Sequence, residues 1–424
     1  MLTSNDEAWG KLFSDTGILS GIEADGVAYI NAKTMKKYRE PRLMAKIDTI
    51  EMLPQIFLEN NLSILPVKNG EYAVFQDPHH QSFFKFPSDI DSIPISYHKP
   101  ATSIANFDSF QTLNSLNEAQ ALDTALISSI IRDFTDEKEI WLTIRGRQFT
   151  QDFQVFVPRL EKSIDVSKVQ IEIDAGYETE NAIYLFEAKI GKRENFNIRQ
   201  LLYPYLEWKN RTAKPIIPIF FYFTNGFYYL FEFALGNSLE PKGIIKQAGY
   251  TLSEIEEFNL ERIFREGTPN NSLTIGIPFP QADDLNKVID TVSLIRQGFT
   301  NKQELADVLE FDERQGDYYA NAARYLGFLD RDNVNFSVTE SGKQLLSLPS
   351  PSKRAEYVTK QLANRPVFYT VFHELLKNNL NIESLDSIDI PLIIENQTDL
   401  SGSTPERRAS TVRQWVKWIY EYAG

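Results

Sequence analysis

The sequence contains no cysteine and only four histidines among its 424 residues. The absence of thiols excludes disulfides, zinc ribbons and thiol catalysis, although it leaves the redox compartment undetermined. The histidines are too few and too scattered for a familiar metal cluster; they are His79, His80, His98 and His373. The adjacent pair follows Asp77-Pro78, where a polar turn is the favoured interpretation over a metal site or a catalytic base.

Long apolar runs are also missing, since no stretch approaches the roughly 20 residues that a membrane-spanning helix needs. The N-terminal residues MLTSNDEAWGKLF are polar and acidic rather than basic and then apolar. We therefore expect no signal peptide and a cytoplasmic protein. The composition, 42% hydrophobic and 24% charged, is typical of a globular protein. Its length exceeds what one hydrophobic core usually supports and predicts roughly two to four domains.

Basic residues are in deficit, and the formal net charge is −14. Because phosphate neutralisation needs lysine and arginine, this charge at first argues against a nucleic-acid partner. Residues 186–214 differ from the rest, with seven basic and three acidic residues and a local net charge of +4. The basic ones are Lys189, Lys192, Arg193, Arg199, Lys209, Arg211 and Lys214. This strip is compatible with DNA, while a solvated helix face is the alternative for any single side chain.

The most informative stretch is residues 169–205, VQIEIDAGYETENAIYLFEAKIGKRENFNIRQLLYPY. It places Asp174 at the end of one predicted strand, and Glu187 and Lys189 in the next. Side chains two apart in a strand share a face, so Glu187 and Lys189 point together while Ala188 points into the packing. Two carboxylates and a backbone carbonyl are ligands that Mg²⁺ prefers, and a nearby ammonium orients or deprotonates water, or stabilises phosphate charge. The pattern indicates metal-dependent phosphodiester hydrolysis.

The flanking residues favour a hairpin around these charges. Residues 168–174 alternate polar and apolar side chains, as a half-buried strand does. A polar turn over residues 176–181 leads to the apolar run 182–186, which is predicted as the neighbouring strand. An isolated E-x-K triplet occurs by chance in most chains of this length, so the prediction depends on this context. The alternative is a surface hairpin whose charges are merely solvated.

Asp174, twelve intervening residues and then Glu187-Ala188-Lys189 resemble the PD-(D/E)XK motif, the signature of the restriction-endonuclease-like superfamily. Ile173 stands where that motif usually has proline. A helix expected to begin near Asn197 is similar to the polar helix that follows this strand in many of these nucleases. Its polar and aromatic residues are Arg199, Gln200, Tyr203 and Tyr205.

The resemblance implies a set of catalytic residues and a metal. The catalytic residues are Asp174, Glu187, Lys189 and Gln200. Asp174, Glu187 and the carbonyl of Ala188 are expected to hold Mg²⁺, for which Mn²⁺ can substitute, while Lys189 positions the nucleophile or offsets negative charge. Gln200 and Glu172 are further candidates for orienting water or metal.

A helix predicted over residues 116–134 precedes the strands, and in this superfamily such a helix often contributes an acidic residue. Glu118 and Asp123 are the candidates here, with helix capping or solvent exposure as the alternative for each. Residues 141–157 predict two strands joined around Gly146-Arg147-Gln148, and Arg147 is a candidate for contact with a DNA backbone. The same role is predicted for Lys192, Arg193 and Arg199 in the basic strip.

Residues 286–348 predict three helices, a β-ribbon and a return helix. The first helix covers residues 286–297, Thr300-Asn301-Lys302-Gln303 is a capping-box pattern, and Asp312 opens the third helix. This order resembles the winged helix-turn-helix family, with the third helix in the recognition position. Its candidate DNA contacts are Arg314, Gln315, Tyr318 and Asn321. Dimerisation or another protein contact is the alternative use of such a module.

The two ends of the chain add further candidate phosphate contacts. Residues 351–424 are predicted to be mostly helical, and the final stretch places Arg407 and Arg408 near serine and threonine at the start of a helix. A plain amphipathic helix is the alternative. In the N-terminal region, Arg39, Arg42 and Lys46 are weaker candidates, because cationic helix surfaces are usually solubilising.

These observations predict an α/β (α+β) fold whose mixed-sheet core resembles restriction endonucleases. The predicted domains are an N-terminal α+β module (1–105) that is a candidate for DNA recognition, a nuclease domain (106–280), a winged helix (281–348) and a helical region (349–424). The resemblance implies a type II restriction endonuclease acting on double-stranded DNA, with homodimerisation and a cognate DNA methyltransferase expected and no membrane partner. The alternatives are a structure- or damage-directed repair nuclease, and a winged-helix DNA-binding regulator with an inactive nuclease fold.

Overall fold

The computed structural model describes residues 3–87, 90, 93–100, 107–110 and 116–423. They form a mixed α+β structure in which helices surround a mixed sheet. We refer to residues 3–76 as the N-terminal module, 77–266 as the central domain and 267–423 as the C-terminal module. Every described helix falls short of the length and apolar character that crossing a membrane requires.

The N-terminal module packs short helices against a small antiparallel sheet. Its elements are α1 (Ser4–Thr16), α2 (Ile18–Asp25), β1 (Val27–Asn31), α3 (Ala32–Met35), α4 (Pro41–Ala45), α5 (Gln55–Glu59), β2 (Leu62–Lys68) and β3 (Glu71–Gln76). The strand order is β1-β3-β2. A tight turn at Asn69-Gly70 joins β2 to β3, and Gly70 adopts the positive φ of 76° that such a turn requires. Trp9 and Phe57 lie fully buried in the core of this module.

Among the described residues the central domain has eleven strands, of which seven form one mixed sheet. Its strands are β4 (Phe83–Lys85), β5 (Ile95–Tyr97), β6 (Trp141–Phe149), β7 (Phe153–Val157), β8 (Lys162–Val166), β9 (Gln170–Glu178), β10 (Ile183–Ile190), β11 (Asn195–Asn197), β12 (Ile216–Thr224), β13 (Phe227–Ala234) and β14 (Gly243–Thr251). The helices are α6 (Glu118–Ile127), α7 (Ile130–Thr135), α8 (Arg199–Lys209) and α9 (Leu260–Glu266). The sheet order is β5-β14-β13-β12-β10-β9-β6, with β10–β12 and β14–β5 parallel and the other neighbours antiparallel.

Strand β10 separates two hydrophobic clusters, because its side chains alternate between the two faces of the sheet. Ile183 and Leu185 pack in the cluster that contains the apolar side of α8. Glu187 and Lys189 continue this face toward the end of the strand. Ala188 is fully buried in the opposite cluster, which confirms the predicted division between the two faces.

The C-terminal module begins with three helices, a two-stranded ribbon and a return helix, in the predicted order. These elements are α10 (Leu285–Arg296), α11 (Lys302–Leu309), α12 (Glu313–Tyr325), β15 (Leu329–Asp332), β16 (Asn335–Val338) and α13 (Glu340–Ser347). The rest is helical, as predicted: α14 (Pro351–Leu362), α15 (Pro366–Lys377), α16 (Ile390–Gln397) and α17 (Thr404–Tyr420). Leu305 and Leu309 of α11 share one hydrophobic cluster with Ile190 and Phe221 of the central sheet.

The turn between β12 and β13 anchors the central sheet to this module. Asn225 and Gly226 have φ angles of 45° and 86°, as a type I′ turn requires. The backbone N–H of Asn225 donates to Oδ1 of Asp290 at 2.9 Å, and the hydroxyl of Thr224 donates to Oδ2 at 2.6 Å. The buried Arg354 donates from Nη2 to the carbonyl of Asn225 at 2.8 Å.

Three local predictions differ from the structure. The helix predicted over residues 116–134 is divided into α6 and α7, because Ser129 adopts a left-handed conformation with φ of 70°. Strand β6 continues through Gly146, so the connection to β7 follows Phe149 instead of lying at residues 146–148. The capping box before α11 is formed by Asn301 and Glu304, one residue later than predicted.

The strand pairing decides where β4 and β5 belong. The domain boundary predicted at residues 105–106 lies outside the described residues, but β4 and β5 pair with β11 and β14 and so belong to the central domain. Between β14 and α9, residues 252–259 are not helical. Residues 267–280 contain the 3-10 helix Asn271–Thr274 and no strand.

Candidate active site

A β-bulge positions Asp174. The β6–β9 ladder changes register on either side of Ile144, and the second change places an extra residue of β9 at Asp174-Ala175. Bulges redirect side chains and end regular pairing. The pairing of β9 with β10 ends at Ala175 and Phe186, and beyond it Oδ2 of Asp174 accepts a hydrogen bond from the backbone N–H of Ala188 at 2.7 Å. The Asp174 carboxylate therefore lies beside the Glu187-Ala188-Lys189 segment.

Lys189 lies between two carboxylates. Its Nζ is 2.8 Å from Oε1 of Glu187 and 2.7 Å from Oε1 of Glu310. The Lys189 side chain is only 8% exposed. Burial opposes the charged form, but Glu187 and Glu310 outweigh it and raise the pKa of Lys189 well above its ordinary value. Lys189 is therefore an ammonium ion at neutral pH.

Gln200, on the first turn of α8, completes this side of the site. Its Nε2 donates to Oε1 of Glu187 at 2.8 Å. Its Oε1 is buried and accepts no hydrogen bond from any residue that the structure describes. Since buried acceptors are normally satisfied, this oxygen is suited to accept a hydrogen bond from water or a ligand in the site.

Glu310 enters the site from the C-terminal module, where it ends α11 in a left-handed conformation with φ of 56°. Its Oε2 contacts Nε of Arg193 at 3.2 Å. The other guanidinium nitrogens of Arg193 donate to backbone carbonyls, at Ile190, Gly191 and Val308. Burial disfavours the charge of Glu310, but Lys189 and Arg193 outweigh burial and lower the pKa of Glu310 to about 2.

The N-terminal module borders the same site through residues 48 and 49. The hydroxyl of Thr49 donates to the backbone carbonyl of Glu310 at 2.8 Å. Arg199 donates from Nη2 to Oδ1 of the buried Asp48 at 3.2 Å. Because Lys189 and Arg199 belong to the central domain, all three parts of the chain meet at this point.

The site contains more carboxylates than cations. Burial raises the pKa of Asp174 and raises the pKa of Glu187 well above its ordinary value, although Lys189 opposes both changes. Glu118, the first residue of α6, is half-buried, and burial raises its pKa to about 7, with Lys189 opposing and Asp174 reinforcing the change. Burial is the largest cause of each of these raised pKa values, and Lys189 offsets it only in part.

The arrangement fits a hard divalent cation. Asp174 and Glu187 provide carboxylate oxygens, and Ala188 provides a backbone carbonyl. Within the described ranges, no three acidic or histidine side chains lie close enough to enclose a metal by themselves. Mg²⁺ commonly uses one or two carboxylates and fills its other positions with water or phosphate oxygens. The small donor set of two carboxylates and a carbonyl is therefore of the kind that Mg²⁺ uses.

Two acidic candidates lie outside this group. Glu172 is exposed and pairs with Arg147 at 3.1 Å, so its predicted role in orienting water or metal is not supported by its position. Asp123 contacts Arg145 at 2.7 Å, and Nε of Arg145 donates to the backbone carbonyl of Asp174 at 2.9 Å. Asp123 therefore supports the backbone of the bulge.

The predicted DNA contacts of the central domain occupy different environments. Arg147 is exposed on the edge strand β6, and Lys192 is half-buried after β10. Arg193 is only 3% exposed, because its donors are directed to Glu310 and to carbonyls inside the protein. Arg199 is mostly buried by its contact with the N-terminal module. Of these four side chains, Arg147 is the most accessible.

The predicted DNA contacts of the C-terminal module also differ in their exposure. On α12, Arg314 is exposed, Gln315 and Tyr318 are half-buried, and Asn321 is buried. The side chain of Asn321 accepts from Arg324 and donates to Asp317, so it stabilises the helix rather than facing solvent. On α17, Arg407 is exposed and Arg408 is half-buried. Burial lowers the pKa of Arg408 and the nearby Tyr318 opposes this change, so the outer surfaces of α12 and α17 lie close together.

Sequence analysis missed Glu310 and Asp48. Glu310 ends a short amphipathic helix in the segment VLEFDERQ, where a glutamate is unremarkable. Asp48 precedes Thr49 in a stretch with no recognisable motif. Neither residue has a local signal for its role, since both reach Lys189 or its surroundings only through packing between modules.

Models of three protein families match separate parts of the chain, and each is described as a domain of unknown function. DUF6996 matches residues 6–74, DUF6997 matches residues 79–251 and DUF7226 matches residues 287–424. These ranges agree closely with the three structural parts. No curated protein and no solved structure matches the chain. The candidate active site therefore combines residues from all three matched regions.

Proposed function

We propose that this chain is a Mg²⁺-dependent endonuclease that hydrolyses phosphodiester bonds in double-stranded DNA, as a type II restriction enzyme does. The observation that carries the proposal is the convergence of Asp174, Glu187 and Lys189 at the ends of two neighbouring strands. Lys189 is 2.8 Å from Glu187, and Asp174 is bonded to the backbone N–H between them. This is the arrangement that the PD-(D/E)XK resemblance implies.

In this proposal Asp174, Glu187 and the carbonyl of Ala188 hold the cation. A bound Mg²⁺ supplies Lewis acidity, which polarises the scissile phosphate and lowers the pKa of water. Lys189 acts as an ammonium that offsets charge on the phosphate, since its two carboxylate neighbours keep it protonated. The buried Oε1 of Gln200 accepts a hydrogen bond from the nucleophilic water.

Glu118 is the best candidate for removing a proton from that water. A general base is most effective when its pKa lies near the working pH, and burial raises the pKa of Glu118 to about 7. Its position on the helix before the sheet agrees with the acidic residue expected from the resemblance. Asp123 is less suited to this role because Arg145 occupies its carboxylate.

The surrounding architecture supports the same class of function. The antiparallel β9–β10 pair, the parallel β10–β12 pair and the intervening helix α8 resemble a restriction-endonuclease-like core. Helices α10 to α12 with the β15–β16 ribbon resemble a winged helix, in which α12 would take the recognition position. We assign DNA contact to the accessible side chains of this surface, which are Arg314, Gln315, Tyr318, Arg407 and Arg408. Arg147 is a separate candidate on β6.

The decisive experiment is cleavage of long DNA of several sequences by the purified protein with Mg²⁺. Methylated and unmethylated DNA are compared, with a chelator and the Asp174→Asn variant as controls. Discrete fragments that disappear in both controls support a site-specific endonuclease, and their ends define the target. Such cleavage would also support the expected homodimer and cognate methyltransferase, which sedimentation and methylation protection can test.

Other outcomes point to the alternative functions. Cleavage confined to junctions, flaps or damaged duplexes would favour a repair nuclease. Tight binding of duplex DNA with no cleavage under any metal condition would favour a winged-helix regulator. Absence of both binding and cleavage would contradict the proposed function.

A further inference from the structure

Glu310 is the one side chain of the C-terminal module that contacts the proposed catalytic lysine among the described residues. One of its oxygens is 2.7 Å from Nζ of Lys189, and the other is 3.2 Å from Nε of Arg193. All three side chains are at most 8% exposed. The contact is therefore a buried network, in which each charge depends on the others for compensation.

We propose that Glu310 is a positioning residue, through which the C-terminal module holds the side chain of Lys189 in place in the nuclease site. This inference rests on the proposed function for the meaning of Lys189, but the contact itself can be tested without nuclease activity. Glu310 does not contact the reacting atoms in this assignment. It acts through Lys189, while Arg193 fixes its second oxygen.

The contacts around Glu310 indicate that it is a permanent part of the site and does not move in and out of it. Its backbone carbonyl accepts a hydrogen bond from Thr49, and Nη2 of Arg193 donates to the carbonyl of Val308 two residues earlier. Leu309 packs in the cluster that fills one side of the central sheet. Withdrawing Glu310 would break these contacts together. The left-handed backbone of Glu310 is also held in place by this packing, as strained residues at functional sites commonly are.

The same geometry explains why a second carboxylate is useful. Glu187 is shared, since it contacts Lys189, accepts from Gln200 and is a proposed ligand of the cation. When Glu187 binds a cation, its oxygens become less available to Lys189. Glu310 then remains as the anionic partner of the ammonium, because Arg193 keeps it in place. The proposed role thus requires a carboxylate that does not itself bind the metal.

The contact is tested first by stability alone. Lys189→Met, Glu310→Gln and the double variant form a cycle whose coupling is measured by urea unfolding at pH 8 without metal or DNA. We expect coupling on the order of tenfold in the unfolding equilibrium constant, as found for residues in direct contact. Asp307→Asn removes an exposed carboxylate from the same helix and is expected to show no coupling with Lys189→Met. Absence of coupling for Glu310 would overturn the proposal whether or not the protein cleaves DNA.

The positioning role is tested second by measuring kcat and KM of cleavage separately. Glu310→Gln is expected to lower kcat at pH 8 by about 10- to 100-fold, as loss of an outer-shell partner does. KM for DNA should stay near its wild-type value, because Glu310 acts through Lys189 and does not contact the substrate. Glu310→Asp keeps the carboxylate and is expected to restore part of kcat. This variant also provides the comparison if Glu310→Gln does not fold.

The outcomes separate the two hypotheses. Coupling in a protein that does not cleave DNA would reject the proposed function and retain the Lys189–Glu310 contact as a structural ion pair, which overturns the positioning role. Cleavage by Glu310→Gln with the wild-type kcat would also overturn that role. A faster rate for Glu310→Gln would overturn it too, because Glu310 would then obstruct the site. A reduced kcat with a near wild-type KM, partly restored in Glu310→Asp, supports the proposal.

Discussion

Oδ2 of Asp174 accepts a hydrogen bond from the backbone N–H of Ala188 at 2.7 Å, at the point where the ladder between β9 and β10 has ended. The side chain of Asp174 thus takes the place of the next main-chain hydrogen bond between β9 and β10. The bulge at Asp174-Ala175 produces this replacement and directs a carboxylate toward Glu187 and Lys189. The local irregularity of β9 is therefore the feature that converts two ordinary strands into a candidate active site.

Asp174→Asn is expected to reduce cleavage strongly without weakening the fold. Replacing a carboxylate that burial already disfavours removes negative charge from a site with an excess of it, while the amide oxygen can still accept from Ala188. We expect Mg²⁺-dependent cleavage to fall by roughly two to three orders of magnitude. The free energy of unfolding at pH 8 should stay the same or rise by about 1 kcal/mol. Urea unfolding and a cleavage assay measure the two effects.

Asp165→Asn is the matched control for that experiment. Asp165 is exposed on β8, and within the described part of the chain its carboxylate accepts a hydrogen bond only from Gln154. It should leave both quantities near their wild-type values. A large loss of stability in Asp174→Asn would mean that the carboxylate is structural.

Affinity for Mg²⁺ is expected to rise with pH through about 7. Glu118 has a pKa of about 7 because of burial, and its deprotonation adds negative charge beside Asp174. Carboxylates attract a cation only when ionised, so the metal should bind more tightly at pH 8 than at pH 6. Calorimetric titration of the DNA-free protein with Mg²⁺ measures this dependence. Glu118→Gln should bind the metal with a smaller pH dependence, and an unchanged dependence would remove Glu118 from the site.

Asp290→Asn is expected to change how stability depends on pH. Burial raises the pKa of Asp290 to about 7 in the folded protein, from an ordinary value of 3.8. The folded state therefore holds an extra proton between these values, and the stability contributed by this group falls as pH rises through that window. Relative to the variant, the wild type should lose up to roughly 4 kcal/mol between pH 4 and pH 8. Urea unfolding at several pH values measures the difference, and Asp386→Asn on the exposed surface should show none.

Arg354→Ala is expected to destabilise the junction between the sheet and the C-terminal module. Arg354 is 1% exposed and donates to the side chain and carbonyl of Asn225 and to the carbonyl of Leu348. Its loss leaves these buried acceptors without charged donors, at a cost of about 3 kcal/mol in the free energy of unfolding. Arg262→Ala, which removes the exposed ion pair with Glu266 on α9, is the control and should cause no measurable change. An equally small effect at Arg354 would contradict its anchoring role.

Arg314→Ala is expected to weaken DNA binding without changing the cleaved sequence, if the exposed start of α12 contacts phosphate. Removal of one phosphate contact should lower affinity at all sequences and reduce the slope of log affinity against log salt by about 1. Fluorescence anisotropy with a labelled duplex, measured in the Asp174→Asn background, gives both quantities. Arg265→Ala, on the exposed side of α9, controls for general charge loss. An unchanged slope for Arg314→Ala would place the DNA elsewhere.

The sequence determined the elements whose signals are local. Alternation of polar and apolar residues identified β9, the apolar run after the polar turn identified β10, and the two-residue spacing placed Glu187 and Lys189 on one face. The Asn225-Gly226 pair likewise favours its turn because both residues tolerate positive φ. Helical periodicity and the Asp312 cap likewise predicted α10 and α12. In each case the determining interactions lie within a few residues of one another.

Only the tertiary structure decided which residues complete the site. The bulge that directs Asp174 depends on pairing with β6, and the partner of Lys189 comes from the end of α11 in another module. The sequence suggests Arg193 as a DNA contact, because its side chain is basic. In the structure its guanidinium is buried and contacts the carboxylate of Glu310 and nearby backbone carbonyls. Charge and periodicity are properties of a segment, whereas burial and ion pairing depend on which distant segments pack together. That dependence is why the candidate motif could be identified in the sequence and its C-terminal partner could not.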